Sequence, residues 1–379
     1  MAMLQLDNPE RPLPRTLLAA RGGFAWWYVD ALDDQDTGFV CIWSFGLPFL
    51  PGYYGAARRQ RGVMARNAPS INLAIYERGT PKWYLLHRLA PESVTWQDGI
   101  WTFGDNQFRQ IRNADEHLLE AHLNLPVPGA HDRLQGSFSV RGTPVRCTHV
   151  PDGPLDHAWT PLLTMGNATA SFTLGGAPFF EWSGSAYHDR NGSERRIDQL
   201  GIAWWTWCRF FFRDHLIISY LSWAHEGPPE WVLMVVRPDG TTERIPIAVS
   251  LGNRVRTPWQ QAYPESLYLT APDGGPLHIA GHSGHLVCIH ERPLDSAPFY
   301  CRGTMTGRFA GEAMRGMYEV CHPDVIDSDS FRPLVQMAVS HQTRRDSMWL
   351  PLFSGPRHDR VSRLISSWFT RDAHAKETT

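Results

Sequence analysis

Tyr187 and Asp189 stand two residues apart in a segment rich in aromatic and small residues. On a β-strand, side chains at this spacing point to the same face, so the Tyr187 hydroxyl can lie beside the Asp189 carboxyl. Such a pair can direct a proton or a water molecule. The run Asp189-Arg190-Asn191-Gly192 is also typical of a turn, in which Asp189 would cap backbone N–H groups. The residues alone leave both interpretations open.

A second group of reactive side chains consists of His278, His282, His285, Cys288 and His290. Neutral imidazoles are good zinc ligands. On a hairpin, however, residues an odd number apart point to opposite faces, so His282 and His285 are not expected to converge. We interpret these histidines as surface and loop residues.

Motifs for nucleotide, zinc-protease and serine-hydrolase chemistry are missing from the sequence. It contains no G-x-x-x-x-G-K-[ST], no G-x-G-x-x-G after a strand and no H-E-x-x-H. Gly281-His282-Ser283-Gly284 resembles a nucleophile elbow but lacks the second glycine at the right spacing. We therefore expect neither a metal nor an organic cofactor.

Charge and cysteine content restrict the partners and the compartment. Lys and Arg number 36 against 38 Asp and Glu, so no basic footprint for nucleic acid is present. The six cysteines include no C-x-x-C pair, which indicates reduced thiols. The N-terminus lacks the apolar stretch of a signal peptide, and no run approaches a membrane span. We expect a cytoplasmic protein, with transient contact with a membrane surface left open.

Aromatic residues are abundant, with 16 Trp, 18 Phe and 11 Tyr. Several are clustered, at 26–28, at 204–207 and at Trp96 with Trp101. Aromatic side chains bury large areas in any β protein, so each one alone is explained by core packing. For the whole set, we expect some of them to line a ligand cavity.

The elements that must position these residues are short strands. Runs rich in β-branched and aromatic residues recur between Gly, Pro, Asp and Asn, which is typical of all-β proteins. Such sheets must close or stack to hide their edges, so barrels or sandwiches are expected. The clearest runs are 39–45, 70–76, 82–88, 168–174, 216–223, 231–237 and 286–291.

Turn and helix signals complete the pattern. Asp98-Gly99 and Asp239-Gly240 each predict a two-residue hairpin turn. Helical pattern is sparse: it is weak at 114–121 and 195–202 and stronger at 359–369.

The length of 379 residues exceeds one ordinary domain and suggests two. A polar stretch at 194–201 interrupts the strand runs. We predict an N-terminal β domain over 1–200, a C-terminal β domain over 201–370, and a polar tail over 371–379.

Several motifs resemble the carotenoid 1,2-hydratase family, whose two domains are lipocalin-like and whose relatives include cofactor-free cyclases of polyenes. The resemblance covers roughly positions 23–345. It is carried by 156–161 (DHAWTP), 182–192 (WSGSAYHDRNG), 26–31, 51–54, 57–59, 72–76, 298–300, 317–319 and 332–337.

The resemblance implies the addition of water to a terminal isoprene double bond. Asp189 and Tyr187 match the family's Tyr-x-Asp element, which makes Asp189 the proposed acid, and Trp159 is the candidate for an upstream tryptophan. Protonation of an alkene gives a tertiary carbocation, which aromatic faces stabilise. The candidate substrate-binding residues are Trp27, Tyr28, Tyr54, Trp182, Trp205 and Trp207.

Two other functions remain open at this point. One is cofactor-free cyclisation of a polyene or terpenoid in the same cavity, because one scaffold hosts many reactions. The other is a non-catalytic carrier of a lipophilic ligand. In each case the expected partner is a hydrophobic isoprenoid or polyene, and the oligomeric state is left open.

Overall fold

The chain folds almost entirely into β-strands. The computed structural model describes residues 5–10, 12–147, 157–257, 259–327, 339–341 and 355–356. In these residues, helix is limited to α1 (Arg15–Ala19), α2 (Tyr53–Arg58) and 3-10 turns at Ala65–Asn67, Pro91–Ser93, Ile197–Gln199 and Pro323–Val325. None of the described helices is long and apolar enough to cross a membrane. The predicted all-β class with few short helices is confirmed.

The strands follow one another at short intervals. The first half contains β1 Gln5–Leu6, β2 Phe24–Leu32, β3 Gly38–Phe45, β4 Pro69–Glu77, β5 Thr80–Arg88, β6 Val94–Gln97, β7 Ile100–Phe103, β8 Asn106–Arg112, β9 His117–Pro126, β10 Arg133–Gly142, β11 Ala158–Pro161, β12 Gly166–Leu174 and β13 Ala177–Ser193. Next come β14 Ile202–Phe212, β15 His215–Ala224, β16 Glu230–Val236, β17 Thr242–Ile245, β18 Ala248–Leu251, β19 Arg254–Arg256, β20 Ala262–Pro264, β21 Ser266–Thr270, β22 Leu277–Ile279, β23 His282–Gly284, β24 Leu286–Ala297, β25 Tyr300–Phe309 and β26 Glu312–Cys321. The last are β27 Val339–His341 and β28 Gly355–Pro356.

Two large sheets contain most of these strands. The first has the order β27-β5-β4-β3-β2-β13-β12-β10-β9-β8-β7-β6, with β1, β11 and β28 beside it. The second has the order β17-β16-β15-β14-β26-β25-β24-β21-β18. Pairing is antiparallel except for β1 with β11 and β27 with β5.

The first sheet curls around its own core. Trp43 on β3 and Phe108 on β8 are far apart in the strand order, yet their ring centroids lie 4.9 Å apart. Phe39 on β3 likewise meets Phe138 on β10 at 4.9 Å. Curling brings apolar faces together and so removes them from water. The second sheet encloses a separate core in the same way.

A third core lies between the two sheets. It joins buried residues of β2, such as Trp26 and Tyr28, to residues of β14 and β15, such as Trp205 and Ile218. The two sheets are built from residues 5–193 and 202–321, while β27 and β28 pair with β5. The proposed domain limits of 1–200 and 201–370 stay a prediction.

The strand runs predicted from the sequence lie in β3, β4, β5, β12, β15, β16 and β24, except that Arg237, the last residue of the run 231–237, lies just beyond β16. Asp98 and Gly99 both have positive φ (53° and 77°) and join β6 to β7 by the predicted two-residue turn. The Asp239-Gly240 hairpin also forms, but residues 237–241 lie between the paired strands, so the prediction of a two-residue turn there was wrong. The reason is that Arg237 N donates to Thr241 O and so closes a wider loop.

The predicted helices that fall within the described residues do not form as predicted. Residues 114–121 do not form a helix, because β9 begins at His117 and alternates buried with less buried side chains along its length. Only Ile197–Gln199 of the stretch 195–202 is helical, as a single 3-10 turn. The predicted helix at 359–369, the tail at 371–379 and the motif at 332–337 lie outside the described residues.

One buried ion pair ties the two sheets together. The Arg209 Nε atom on β14 donates to Asp30 Oδ1 on β2 at 2.8 Å, and both side chains are almost fully buried. Removal of one member of a buried pair leaves an uncompensated charge. We expect Asp30→Ala to lower the free energy of unfolding by about 3 to 5 kcal/mol, measured by urea denaturation.

The matched control is Glu243→Ala, which breaks the exposed Arg237–Glu243 pair. Exposed pairs contribute about 0 to 1 kcal/mol, so its effect should be small. Equal destabilisation by the two variants would contradict the prediction.

Candidate active site

The long strand β13 presents Tyr187, Asp189 and Asn191 on one face, because side chains two residues apart point the same way. Asp189 is paired directly with Tyr28 on β2. On its other side, β11 pairs with β13 and places Trp159 opposite Asn191. Three adjacent strands therefore hold these side chains, and Asp189 lies in a strand rather than in a turn.

Asp189 accepts three hydrogen bonds. Its Oδ2 atom accepts from Trp159 Nε1 at 2.9 Å and from the Tyr187 hydroxyl at 2.8 Å. Its Oδ1 atom accepts from Asn191 Nδ2 at 3.0 Å. Because two donors occupy Oδ2, we expect the acidic proton of the neutral carboxyl on Oδ1.

Burial raises the pKa of Asp189 to about 8. Only 4% of the residue surface is exposed, so the charged form loses its hydration. The bonds from Tyr187 and Trp159 lower the pKa, and the charges of Glu319 and Asp30 raise it further. Desolvation is the dominant cause, and at neutral pH most of this carboxyl carries its proton.

A cavity of about 150 Å³ with mostly apolar and aromatic walls opens beside Asp189. It lies between the two sheets and takes side chains from both. The first sheet and the connection after β3 contribute Trp26, Tyr28, Ile42, Ser44, Leu47, Pro48, Phe49, Leu50, Ser70, Asn72, Tyr84, Leu86, Asp189 and Asn191. The second sheet and the residues next to its strands contribute Trp205, Trp207, Tyr220, Asp295, Ala297, Phe299, Tyr300, Arg302 and Glu319.

Aromatic rings surround the carboxyl. The Trp207 ring centroid lies 5.2 Å from that of Tyr187 and 5.8 Å from that of Tyr28. Tyr220 lies 5.7 Å from Trp159. Aromatic faces attract cations by about 0.5 to 2 kcal/mol each when water is excluded. A positive charge that develops beside Asp189 is therefore in a stabilising environment.

Three of the six candidate substrate-binding residues line this cavity, namely Tyr28, Trp205 and Trp207. Trp159 and Tyr187 are not among the residues that line it, but both donate hydrogen bonds to Asp189 Oδ2. Trp159 is therefore in hydrogen-bond contact with the carboxyl, and its role in the reaction stays a prediction.

The other three candidates lie elsewhere. Trp27 neighbours Tyr28 on β2 and points to the opposite face, where it packs on Phe108 in the first sheet's own core. Trp182 lies on that side too and donates to Asp33 Oδ2 at 3.2 Å. Tyr54 is buried in α2. Side chains alternate between the two faces of a strand, so the adjacent residues Trp27 and Tyr28 point to opposite sides of the sheet. Their adjacency in the sequence does not show which of them faces the cavity.

Sequence reasoning missed four polar residues of the second sheet: Asp295, Tyr300, Arg302 and Glu319, which we call the polar subsite. Tyr300 and Glu319 belong to motifs that carried the family resemblance, at 298–300 and 317–319, but neither received a role. Their strands β25 and β26 pair Arg302 with Glu319. No sequence signal connects them to Asp189, which lies on the other sheet.

The polar subsite is held by internal bonds. Arg302 Nη2 donates to Asp295 Oδ2 at 2.8 Å, and its Nη1 lies 3.8 Å from Glu319 Oε1. The Tyr300 hydroxyl donates to Glu319 Oε1, and the Tyr76 hydroxyl donates to Asp295 Oδ2. The pKa of Glu319 is raised above its ordinary value, because burial raises it by more than the Arg302 charge and the Tyr300 bond lower it.

The histidines at 278–290 make separate contacts. His282 contacts Arg213 at the surface. His290 is buried on β24, with its Nδ1 atom 2.6 Å from the Pro264 carbonyl oxygen, so its interpretation as a surface or loop residue was wrong. Among the described residues, no group of three or more His, Cys, Asp or Glu side chains is arranged to hold a metal ion.

Two solved structures share this fold. An AttH protein of Nitrosomonas europaea superposes with a TM-score of 0.54 and 14% identity, over 83% of this chain and 98% of that chain. CghA bound to Sch210972 superposes with a TM-score of 0.51 and 11% identity, over 83% and 95% of the two chains. These likenesses concern the fold, which is the predicted lipocalin-like, all-β arrangement.

Sequence comparison defines the class as a hydro-lyase. An acyclic carotenoid 1,2-hydratase of Thiocapsa roseopersicina is 25% identical over 354 residues, which cover 89% of this chain and 77% of the relative. A hydroxyneurosporene dehydrogenase of Chlorobaculum tepidum is 26% identical over 379 residues, covering 92% and 95%. The model of the carotenoid hydratase CrtC family matches residues 42–264, more than half of the chain. The chain belongs to this family, and the predicted hydro-lyase is confirmed.

Proposed function

We propose that this enzyme adds water to the terminal double bond of an acyclic carotenoid or a related isoprenoid, without a cofactor. The observation that carries the proposal is Asp189, a buried carboxyl with a pKa of about 8 in the wall of an aromatic cavity. The names of the relatives point to the same substrate class. The hydrophobic walls suit a hydrocarbon chain.

Asp189 supplies the proton in this mechanism. A terminal isoprene double bond is unactivated, so its protonation needs a neutral acid in place of a carboxylate. Burial keeps Asp189 neutral at working pH, as in other enzymes whose apolar sites raise the pKa of a carboxylic acid. Tyr187 and Trp159 hold the carboxyl in position and stabilise the carboxylate that remains after proton transfer.

Trp205, Trp207 and Tyr28 stabilise the tertiary carbocation. All three rings line the cavity beside Asp189. Because the walls of the cavity are mostly apolar and aromatic, the attraction between a cation and an aromatic face is weakened less than in bulk water. Water then adds to the cation, and the protonated alcohol that forms loses a proton to give the tertiary alcohol.

Incubation with an acyclic carotenoid hydrocarbon in oxygen-18 water tests this function. We expect a product heavier than the substrate by one labelled water molecule, identified by mass spectrometry. An isomeric product of unchanged mass would indicate cyclisation in place of hydration. Recovery of unaltered, bound carotenoid at every pH would indicate a carrier and would contradict the proposal.

A further inference from the structure

The polar subsite is a part of the cavity wall that takes no part in the protonation step assigned to Asp189. Within the described residues, the Tyr28 hydroxyl and Arg302 Nη1 have no hydrogen-bond partner, although both residues are more than nine-tenths buried. Buried polar atoms without a partner are costly, and ordered water commonly satisfies them. Both residues line the cavity, so this region is suited to a small polar molecule beside a hydrocarbon chain.

Glu319 connects this region to the acid. It is the cross-strand partner of Trp207 on β14, so the two side chains share the cavity face of the second sheet. The Trp207 ring in turn lies 5.2 Å from the ring of Tyr187, which donates to Asp189. The charge of Glu319 also acts on Asp189 and raises its pKa. The electrostatic field of the Glu319 carboxylate therefore reaches a substrate that is held beside Asp189.

We propose that Glu319 holds the attacking water molecule and accepts its proton, so that the acid and the base of the reaction stand on different sheets. This inference rests on the proposed hydration and adds to it a second catalytic residue. Arg302 and Tyr300 are positioning residues that orient the Glu319 carboxylate.

Glu319 is better suited to this role than its neighbour Asp295. Asp295 Oδ2 accepts from both Arg302 and Tyr76, so its charge is already neutralised at short range. Glu319 accepts one hydrogen bond from Tyr300, and its contact with Arg302 is 3.8 Å long. Its side chain is 18% exposed while lining the cavity, which leaves carboxylate lone pairs accessible to water.

The step balances in atoms and charge. Asp189 transfers its proton to the less substituted carbon of the double bond, the π bond breaks, and the tertiary carbon becomes cationic. A lone pair of the water oxygen forms the C–O bond, and one O–H bond of that water breaks as its proton passes to Glu319. Protonated Glu319 then returns a proton to the Asp189 carboxylate through solvent. The sum is alkene plus water to alcohol.

Glu319→Gln separates the protonation of the alkene from the addition of water to the cation. The variant keeps the size of the side chain and the Tyr300 bond but cannot accept a proton. In deuterium oxide, Asp189 should still deuterate the alkene, and the cation should return a neighbouring proton to the Asp189 carboxylate and revert to alkene. We expect hydration to fall by about 100-fold or more, since a general base contributes that much. Deuterium should still enter recovered, unhydrated substrate.

The assay should run near pH 7, below the pKa of about 8 of Asp189, so that the acid is protonated in wild type and variant. A lower pH would favour protonation of Glu319, because burial raises its pKa. Glu312→Gln is the matched control, because Glu312 begins the same strand β26 and pairs with Arg213 at the surface. That control should hydrate like wild type. Thermal melting checks the folding of each variant.

Each outcome has a distinct meaning. Wild-type hydration by Glu319→Gln would overturn the inference while leaving the proposed function intact. Loss of both hydration and deuterium exchange in the folded variant would also overturn it, because Glu319 would then act through Asp189. Absence of hydration and exchange in the wild type would overturn the proposed function and the inference together.

Tyr300→Phe provides a second test that keeps the carboxylate. The Tyr300 bond lowers the pKa of Glu319, so its removal should raise that pKa. A base works only when deprotonated, so the acidic limb of the pH–rate profile should move to higher pH. An unchanged acidic limb in the folded variant would argue against Glu319 as the base.

Discussion

Asp189→Asn is expected to lower the hydration rate by about 100-fold to 10,000-fold, the usual range for loss of a general acid. Asparagine keeps the size of the side chain and its carbonyl oxygen still accepts from Trp159 and Tyr187, but its amide cannot protonate an alkene. Substrate binding should survive, because the walls of the cavity are unchanged. Steady-state rates and quenching of tryptophan fluorescence by the carotenoid measure the two effects separately.

Two further variants sharpen the test. Tyr187→Phe removes one donor to Asp189 and leaves the acid in place, so its loss of rate should be smaller than that of Asp189→Asn. Asp105→Asn, at an exposed carboxyl paired with Arg133, is the matched control and should hydrate normally. Wild-type activity in a folded Asp189→Asn variant would rule out Asp189 as the acid and favour cyclisation directed by cavity shape.

The same substitution is expected to stabilise the protein at high pH. The pKa of Asp189 is raised from 3.8 to about 8 in the folded state, so between these values the folded chain holds a proton that the unfolded chain releases. The favourable contribution is complete below the unfolded pKa and is lost as the pH rises through the folded pKa. In that window, the free energy of unfolding should fall by roughly 1.4 kcal/mol per pH unit.

Asparagine does not titrate, so Asp189→Asn should lack this slope. Relative to wild type, the variant should gain about 4 kcal/mol of stability between pH 5 and values above 8, as an order of magnitude. Urea unfolding across this range measures the gain, with Asp105→Asn expected to follow the wild-type curve. Parallel curves for wild type and Asp189→Asn would mean that burial does not raise the pKa of this carboxyl.

This pairing of lost activity with gained stability has one physical source. Desolvation destabilises the Asp189 carboxylate and so makes the neutral acid available at working pH. The same burial lowers the free energy of unfolding as the pH rises, because the folded state disfavours the carboxylate.

Much of the fold and part of the site could be predicted from the sequence. Strand patterns depend on local alternation and turn chemistry, so 39–45 and 70–76 were assigned correctly, and Asp98-Gly99 predicted its own turn. The spacing of Tyr187 and Asp189 predicted a shared face because side-chain direction has a period of two along a strand. The helical expectation at 114–121 failed because neighbouring strands on both sides override weak local preference.

Only the tertiary structure decided what surrounds the carboxyl. The sequence could not distinguish Tyr28, which lines the cavity, from Trp27, which packs in another core, until the register of β2 with β13 was known. Nor could it bring Glu319 near Asp189, because they lie on different sheets whose packing is set by contacts between residues distant in the chain. A pKa depends on desolvation and nearby charge, and both are properties of the assembled cavity rather than of the local sequence.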